Sequence, residues 1–247
     1  MKVVATGMHE ETLRQTEAEL KRKGAEVLVV RTDVSKMEDV EALAQRTLDA
    51  FGQVHCLFNN AGVGAEIAAL WESPIEDWQW VLNVNLWGVI HGIKVFLPLM
   101  IEQGNECHII NTASMASLLG GPALGIYKVS KHAVVALTET LYYELAVRKL
   151  NVSVSFLCPG YVRTNVLSSY RPQDKYAAHR GPITYDLEIS KVLREGVTIG
   201  MDPAEVAAKT FEAIRLNKFY ILTHPEAKPG IQARMEDILN ECNPRFY

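Results

Sequence analysis

The chain has 247 residues, 48% of them hydrophobic and 22% charged, with a formal net charge of −4. That composition excludes a disordered chain, and the small negative charge offers no basis for nucleic-acid binding. Four widely spaced cysteines, Cys56, Cys107, Cys158 and Cys242, form no CxxC pair and no metal-ligand rhythm, which fits a reducing compartment and a cytoplasmic protein. The first residues, MKVVATGMHEE, turn acidic too early for a signal peptide. No apolar run reaches the roughly 18–20 residues of a membrane span; the richest, Leu86 to Ile101, is interrupted by His91 and Lys94.

Short β-rich runs alternate with amphipathic stretches. Lys2–Thr6 and Glu26–Arg31 read as strands, joined by a charged helix that ends in Lys21, Arg22 and Lys23 before Gly24. Cations in a last turn followed by glycine are a helix stop signal. Ser35–Ala50 reads as a second helix, with Val40, Leu43, Ala44 and Leu48 on one face. His55–Phe58 is a strand running into Asn59-Asn60-Ala61-Gly62. Pro74–Met100 is one long helix or two joined ones. His108–Ser114 is a strand, Gly125–Val147 a long helix, and Asn151–Leu157 an alternating strand that stops at Cys158-Pro159-Gly160. Residues 165–200 are polar and without clear period, and read as a loop-rich excursion. Pro203–Leu216 is a helix and Phe219–Thr223 a last strand. Ile231–Tyr247 has few apolar residues and no readable role. The pattern predicts a single α/β domain over 1–247, a doubly wound parallel sheet with helices on both faces. Ligands bind such sheets at the carboxyl ends of the strands. Asn59–Gly62, Asn111–Ser114 and Pro159–Thr164 all fall there.

Tyr127 and Lys131 are four residues apart on a predicted helix and so share a face. A nearby ammonium favours phenolate and is expected to lower the tyrosine pKa, making Tyr127 a general acid/base. Ser114, at the end of a strand, is placed to donate a hydrogen bond to a carbonyl or alkoxide oxygen. Taken alone each feature has an ordinary explanation. With nine tyrosines in the chain, one Tyr-x-x-x-Lys arises by chance; Asn59–Gly62 serves as a turn, Asn85 as a partner for buried backbone, and Pro159-Gly160 as a strand terminator.

The order of the strings carries more than any one of them. Asn59-Asn60-Ala61-Gly62 is followed by Asn83-Val84-Asn85-Leu86-Trp87-Gly88. Ser114 then precedes Tyr127-x-x-x-Lys131 by thirteen residues, and Pro159-Gly160-Tyr161-Val162-Arg163-Thr164 closes the series. Over nearly its whole length the chain resembles the short-chain dehydrogenase/reductase family of NAD(P)-dependent oxidoreductases. The resemblance implies a Rossmann-like fold and a catalytic set of Asn85, Ser114, Tyr127 and Lys131. Tyr127 would exchange a proton with the substrate oxygen and Ser114 would hold that oxygen. Lys131 would tune the tyrosine and bond the nicotinamide ribose, and Asn85 would kink its helix and hold a water. The implied cofactor contacts are Asp33 and Val34 at the adenine, Asn60, Ala61 and Gly62 on the cleft floor, Tyr127 and Lys131, and Pro159, Gly160, Val162 and Thr164 at the nicotinamide and phosphates. Relatives of this kind assemble as homodimers or homotetramers.

The chain departs from the family at its start. The family opens with a strand, a glycine-rich phosphate loop and a helix, whereas residues 1–34 match the family's second strand, second helix and third strand. One βα unit of roughly 30–40 residues is then unaccounted for. Gly7 stands where an acidic residue or an arginine would announce NAD or NADP, so both cofactors stay open. The absent strand is central in the family's sheet. Either Lys2–Thr6 keeps the second-strand role and leaves a hole, or Lys2–Gly7 slides into the centre; or the 247 residues are part of a longer protein. The strand that pairs with His55–Phe58 separates the first two.

The leading reading is an oxidoreductase for a small apolar alcohol or ketone, with Met115, Leu118, Leu119, Leu124, Ile126 and Tyr161 lining the substrate side and 165–200 as a lid. A non-catalytic binding or assembly module is the second reading, motivated by the missing phosphate loop. A serine hydrolase around Ser114 is the weakest, because Thr112-Ala113-Ser114-Met115-Ala116 lacks the G-x-S-x-G elbow.

Overall fold

The computed structural model describes residues 1–65, 67–166 and 187–245. Six parallel strands alternate with helices: β1 Lys2–Gly7, α1 Glu10–Arg22, β2 Glu26–Arg31, α2 Met37–Phe51, β3 Cys56–Asn59, α3 Ile75–Leu82, α4 Gly88–Gln103, β4 Cys107–Thr112, α5 Gly125–Arg148, β5 Val152–Cys158, α6 Leu187–Thr198, α7 Pro203–Arg215, β6 Tyr220–Leu222 and α8 Lys228–Leu239. A five-residue π turn, Asn83–Trp87, joins α3 to α4.

The strands form two sheets. β1 pairs only with β2, and the second sheet runs β3-β4-β5-β6. The strand beside β3 is therefore β4, with Cys56 opposite His108 and Asn59 opposite Asn111. Lys2–Gly7 has not moved into the centre; it pairs in register with Glu26–Arg31. The open edges show in burial. Phe58 on β3 is 41% exposed although its strand neighbours the core of the sheet.

Pleat alternation turns Val4, Leu28 and Val30 to one face, where they join Val40, Leu43 and Ala44 of α2. The same cluster takes in Val54, Phe96, Met100, Ile109 and Val154, so one apolar core underlies both sheets. α1 lies against β1 and β2 with Leu13 buried and Thr16, Glu17 and Leu20 half-buried, and its other residues are solvated. Its ion pairs Glu10–Arg14, Glu17–Lys21 and Glu19–Lys23 are exposed i,i+4 pairs that add little stability.

Three expectations need correction. Leu187–Thr198 is a helix, not loop; Ile189, Ser190, Leu193, Gly196 and Val197 share its half-buried face. The rest of the supposed lid, 167–186, lies outside the described residues. Lys228–Leu239 is also helical, and Ile231 packs with Met115, Phe156 and Leu222 despite the sparse apolar pattern. Finally, Ile75–Gln103 is 29 residues of continuous helix with a window of mean hydropathy 1.6, enough by length and composition to cross a membrane. Val81, Val89, Phe96 and Met100 of that helix are buried in the protein's own core.

Candidate active site

β4 and β5 end side by side, with Thr112 opposite Leu157, and the next residues build the site. Ser114 caps a short 3-10 turn, Met115–Ser117, and its Oγ accepts from Ala116 N–H at 3.2 Å. Met115 N–H donates to Pro159 O at 2.8 Å, which fastens the Ser114 segment to the Pro159–Thr164 segment.

The chain enters α5 through Ala123 and Leu124, at φ 64° and 51°. Two successive left-handed non-glycine residues store backbone strain directly before the turn that carries Tyr127. Lys128 Nζ donates to Gly121 O at 2.6 Å and holds that entry. Tyr127 is half-buried and shares a side-chain hydrogen bond with Ser114. Burial pushes its phenol pKa above the ordinary value; the Ser114 bond pulls the other way, and the nearby Cys158 thiol adds to the rise. The expected lowering by Lys131 is not borne out: burial sets the direction of the shift. Lys131 Nζ lies 5.7 Å from the Tyr127 ring centroid and donates to Thr112 O at 2.9 Å. Burial brings Lys131 itself down to about 8. Desolvation disfavours both charged forms, so the unliganded site holds a neutral phenol beside an easily neutralised amine.

Asn85 sits in the π turn and is fully buried. Its Oδ1 accepts from Val63 N–H at 2.8 Å, and its Nδ2 donates to Val63 O at 3.0 Å and Ser130 Oγ at 3.1 Å. Ser130 Oγ donates to Tyr127 O at 2.7 Å, so Asn85 is tied to the turn that carries the tyrosine. π turns of this kind often mark functional sites. A Cβ on Gly62 would stand 3.4 Å from both Asn85 Oδ1 and Lys131 Nζ. Glycine there leaves a polar cradle open. A second polar chain runs across the strands: Asn59 Nδ2 donates to Asn111 Oδ1 at 2.9 Å, and Asn111 Nδ2 to Thr138 Oγ1 at 3.1 Å. Thr112 Oγ1 donates to Asn60 Oδ1 at 3.0 Å.

Asn85, Ser114, Tyr127, Lys131 and Gly62 are thus brought together, with Asn60 and Ala61 on the adjoining loop. Pro159 and Gly160 join them through Met115. Val162 forms a bridge with Met201, and Thr164 Oγ1 accepts from Val166 N–H at 3.4 Å. Asp33 and Val34 follow β2 on the smaller sheet, with Val34 against Gly88, where α4 leaves the π turn. Asp33 Oδ1 accepts from Ser35 N–H and Oγ, and Val34 O meets His91 Nδ1 at 2.9 Å. Of the apolar residues expected to face a substrate, Met115 and Ile126 are core, whereas Leu118, Leu119 and Leu124 are half-buried and Tyr161 is 43% exposed. Ser130 was not singled out from the sequence; its place three residues after Tyr127, on the face turned to Asn85, is the available signal.

Comparison with known proteins identifies the family. The profile of the family described as short chain dehydrogenase matches residues 1–175. A CLA biosynthesis dehydrogenase/reductase of Lactiplantibacillus plantarum is 32% identical over 252 aligned residues, covering 100% of this chain and 87% of that protein. A 1-deoxy-11-beta-hydroxypentalenate dehydrogenase of Streptomyces exfoliatus is 31% identical, covering 96% of this chain and 78% of its own length. The crystal structure of a short-chain dehydrogenase/reductase from Burkholderia phymatum in complex with NAD superposes with a TM-score of 0.92 at 46% identity, covering 100% of this chain and 88% of that one. The parallel α/β fold, the clustered Ser114, Tyr127, Lys131 and Asn85, and these matches lead to one conclusion: the chain belongs to the short-chain dehydrogenase family.

Proposed function

We propose that the protein interconverts a small apolar alcohol and its ketone or aldehyde with NAD or NADP. The observation that carries this is the contact of half-buried Tyr127 with buried Ser114, beside buried Lys131 and Asn85, at the carboxyl ends of β4 and β5. The Gly62 cradle, facing Lys131 Nζ and Asn85 Oδ1, supports room for a polar ligand group there. When bound, the nicotinamide supplies or takes the hydride. Tyr127 holds the proton that moves to or from the substrate oxygen. Its raised pKa suits the acid role, donation to a carbonyl oxygen as reduction proceeds. Ser114 donates to the same oxygen and fixes its position. Lys131 bonds the ribose, and Asn85 keeps the π turn in place and holds a water on the proton path. Asn60, Ala61, Gly62, Pro159, Gly160, Val162 and Thr164 form the nicotinamide end of the cleft, with Asp33 and Val34 at the adenine end. Leu124 and Tyr161, with the outer faces of Leu118 and Leu119, which pack partly against the core, would line the substrate side.

The gap between β1 and β3 is, on this reading, where the family's first strand and its phosphate loop pair. The pairing of β1 with β2 and of β3 with β4, which leaves one edge of β1 and one of β3 unpaired among the described residues, supports it. The same open edges favour a second reading, a family member that binds or assembles without turnover. Exposed Trp71, Tyr143 and Val147 supply apolar surface for a homodimer or homotetramer, and the four unpaired cysteines suit a cytoplasmic setting.

Titration with NADH and with NADPH, followed by reduced-nicotinamide fluorescence, tests the proposal. Micromolar binding is expected, and the tighter partner sets the preference. A well-folded protein that binds neither contradicts the oxidoreductase reading and leaves the second.

A further inference from the structure

The segment after β5 is held by neighbours on three sides. Met115 N–H donates to Pro159 O at 2.8 Å and Met201 N–H to Tyr161 O at 2.9 Å. The third neighbour is a side chain, His224, just beyond β6. Gly160 N–H donates to His224 Nδ1 at 3.0 Å, and His224 Nε2 lies 3.1 Å from Tyr161 O. A backbone N–H only donates and a carbonyl only accepts. In this arrangement Nδ1 therefore accepts and Nε2 donates. Thr223 Oγ1, in a buried residue, lies 2.8 Å from the same Nδ1. The ring also fills the space a side chain at position 160 would need. A Cβ there would stand 2.8 Å from His224 Cγ and 3.0 Å from Nδ1.

We propose that His224 is a positioning residue for cofactor binding: it clamps Gly160 and Tyr161 and so fixes the backbone of Pro159–Thr164 for the nicotinamide end of NAD or NADP. It acts through that segment and not by touching the reacting atoms. The inference rests on the reading above that the segment meets the cofactor. It adds a reason for glycine at 160 beyond strand termination. The residue there must lack a side chain because the imidazole takes its place.

The test is an NADH titration of the wild type, His224→Ala, His224→Asn and Gly160→Ala, with circular dichroism and a thermal melt confirming that each is folded. His224→Ala is expected to raise the NADH Kd about tenfold, the scale of two lost hydrogen bonds. His224→Asn, whose Oδ1 stands in for Nδ1 as acceptor, recovers part of that loss. Gly160→Ala weakens binding in the wild-type background, and weakens it less on top of His224→Ala, where the added methyl has room. A folded His224→Ala that binds as wild type does overturns the proposal, and so does an asparagine variant no better than alanine. If the alanine variant does not fold, His224→Gln, which has no acceptor at the Nδ1 place, is read in its stead. A wild type that binds neither NADH nor NADPH contradicts the oxidoreductase reading and takes this role with it. That result is distinct from variants that bind equally well to a binding-competent wild type.

Discussion

The two sheets differ in how completely they are covered. Every residue of β4 except Thr112, and every residue of β5 except Ser153, is buried. In β1 no residue is fully buried, and in β2 only Val30 is. β3, at the boundary, alternates exposed and half-buried positions. The larger sheet carries Ser114 and is roofed by the helix that carries Tyr127 and Lys131; the smaller carries Asp33 and Val34. Tight packing therefore goes with the groups proposed to move a proton. Open edges go with the part expected to hold the far end of a cofactor. Parallel strands in α/β folds are usually covered on both sides; among the described residues β1 and β3 each have one unpaired edge, and β1 and Phe58 are the exposed parts.

The largest expected effect belongs to Tyr127, the proposed proton-transfer group. Tyr127→Phe is expected to lower kcat by 10²–10⁴-fold while NADH still binds, as steady-state turnover beside a fluorescence titration would show. Turnover within a factor of a few of wild type would remove Tyr127 from the acid/base role. Stability gives the direct contrast between sheets. Ile109→Ala on β4 removes a fully buried side chain and is expected to cost about 3–5 kcal/mol in urea unfolding. Val4→Ala on β1, only partly buried at the edge of the same cluster, is expected to cost roughly 1 kcal/mol. Equal costs would erase the distinction.

A smaller effect concerns Lys131. Its folded-state pKa is about 8, below the ordinary 10.5. The folded protein therefore binds fewer protons than the unfolded chain between those values, and stability from this group rises with pH across that window. The burial cost is fully present below about 8 and gone above about 10.5. Lys131→Met removes it, and is expected to stabilise the unliganded protein at pH 7 by about 2 kcal/mol, allowing for the lost bond to Thr112 O. The gain shrinks as pH rises. Chemical unfolding at pH 7 and pH 10 checks both parts, and a gain that grows with pH would reverse the sign.

The elements of strong period were legible. The spacing over Gly125–Val147 located α5 within one residue of its end at Arg148, and Cys158-Pro159-Gly160 marked where β5 stops. α8 was not legible, because a few contacts such as Ile231 against Met115 and Phe156 hold it, and these join residues far apart in sequence. The alternation of Asn151–Leu157 suggests one buried face, yet Ser155 is buried too; its Oγ donates to Lys218 O at 2.7 Å and meets His108 Nε2 at 2.7 Å. Sequence spacing placed Tyr127 and Lys131 on one face, but the direction of the Tyr127 shift depends on desolvation, which spacing does not report. His224 was invisible for the same reason as α8: its partner Gly160 is 64 residues away.

Hydrogen exchange with and without saturating NADH tests most directly whether the cofactor site is built on the well-packed sheet. Protection is expected in 59–64, 112–131 and 159–164, with a smaller change at 31–35 and none in α1. Protection confined to β1, β2 and α1, or NADH binding with no change around Ser114 and Tyr127, would contradict the account.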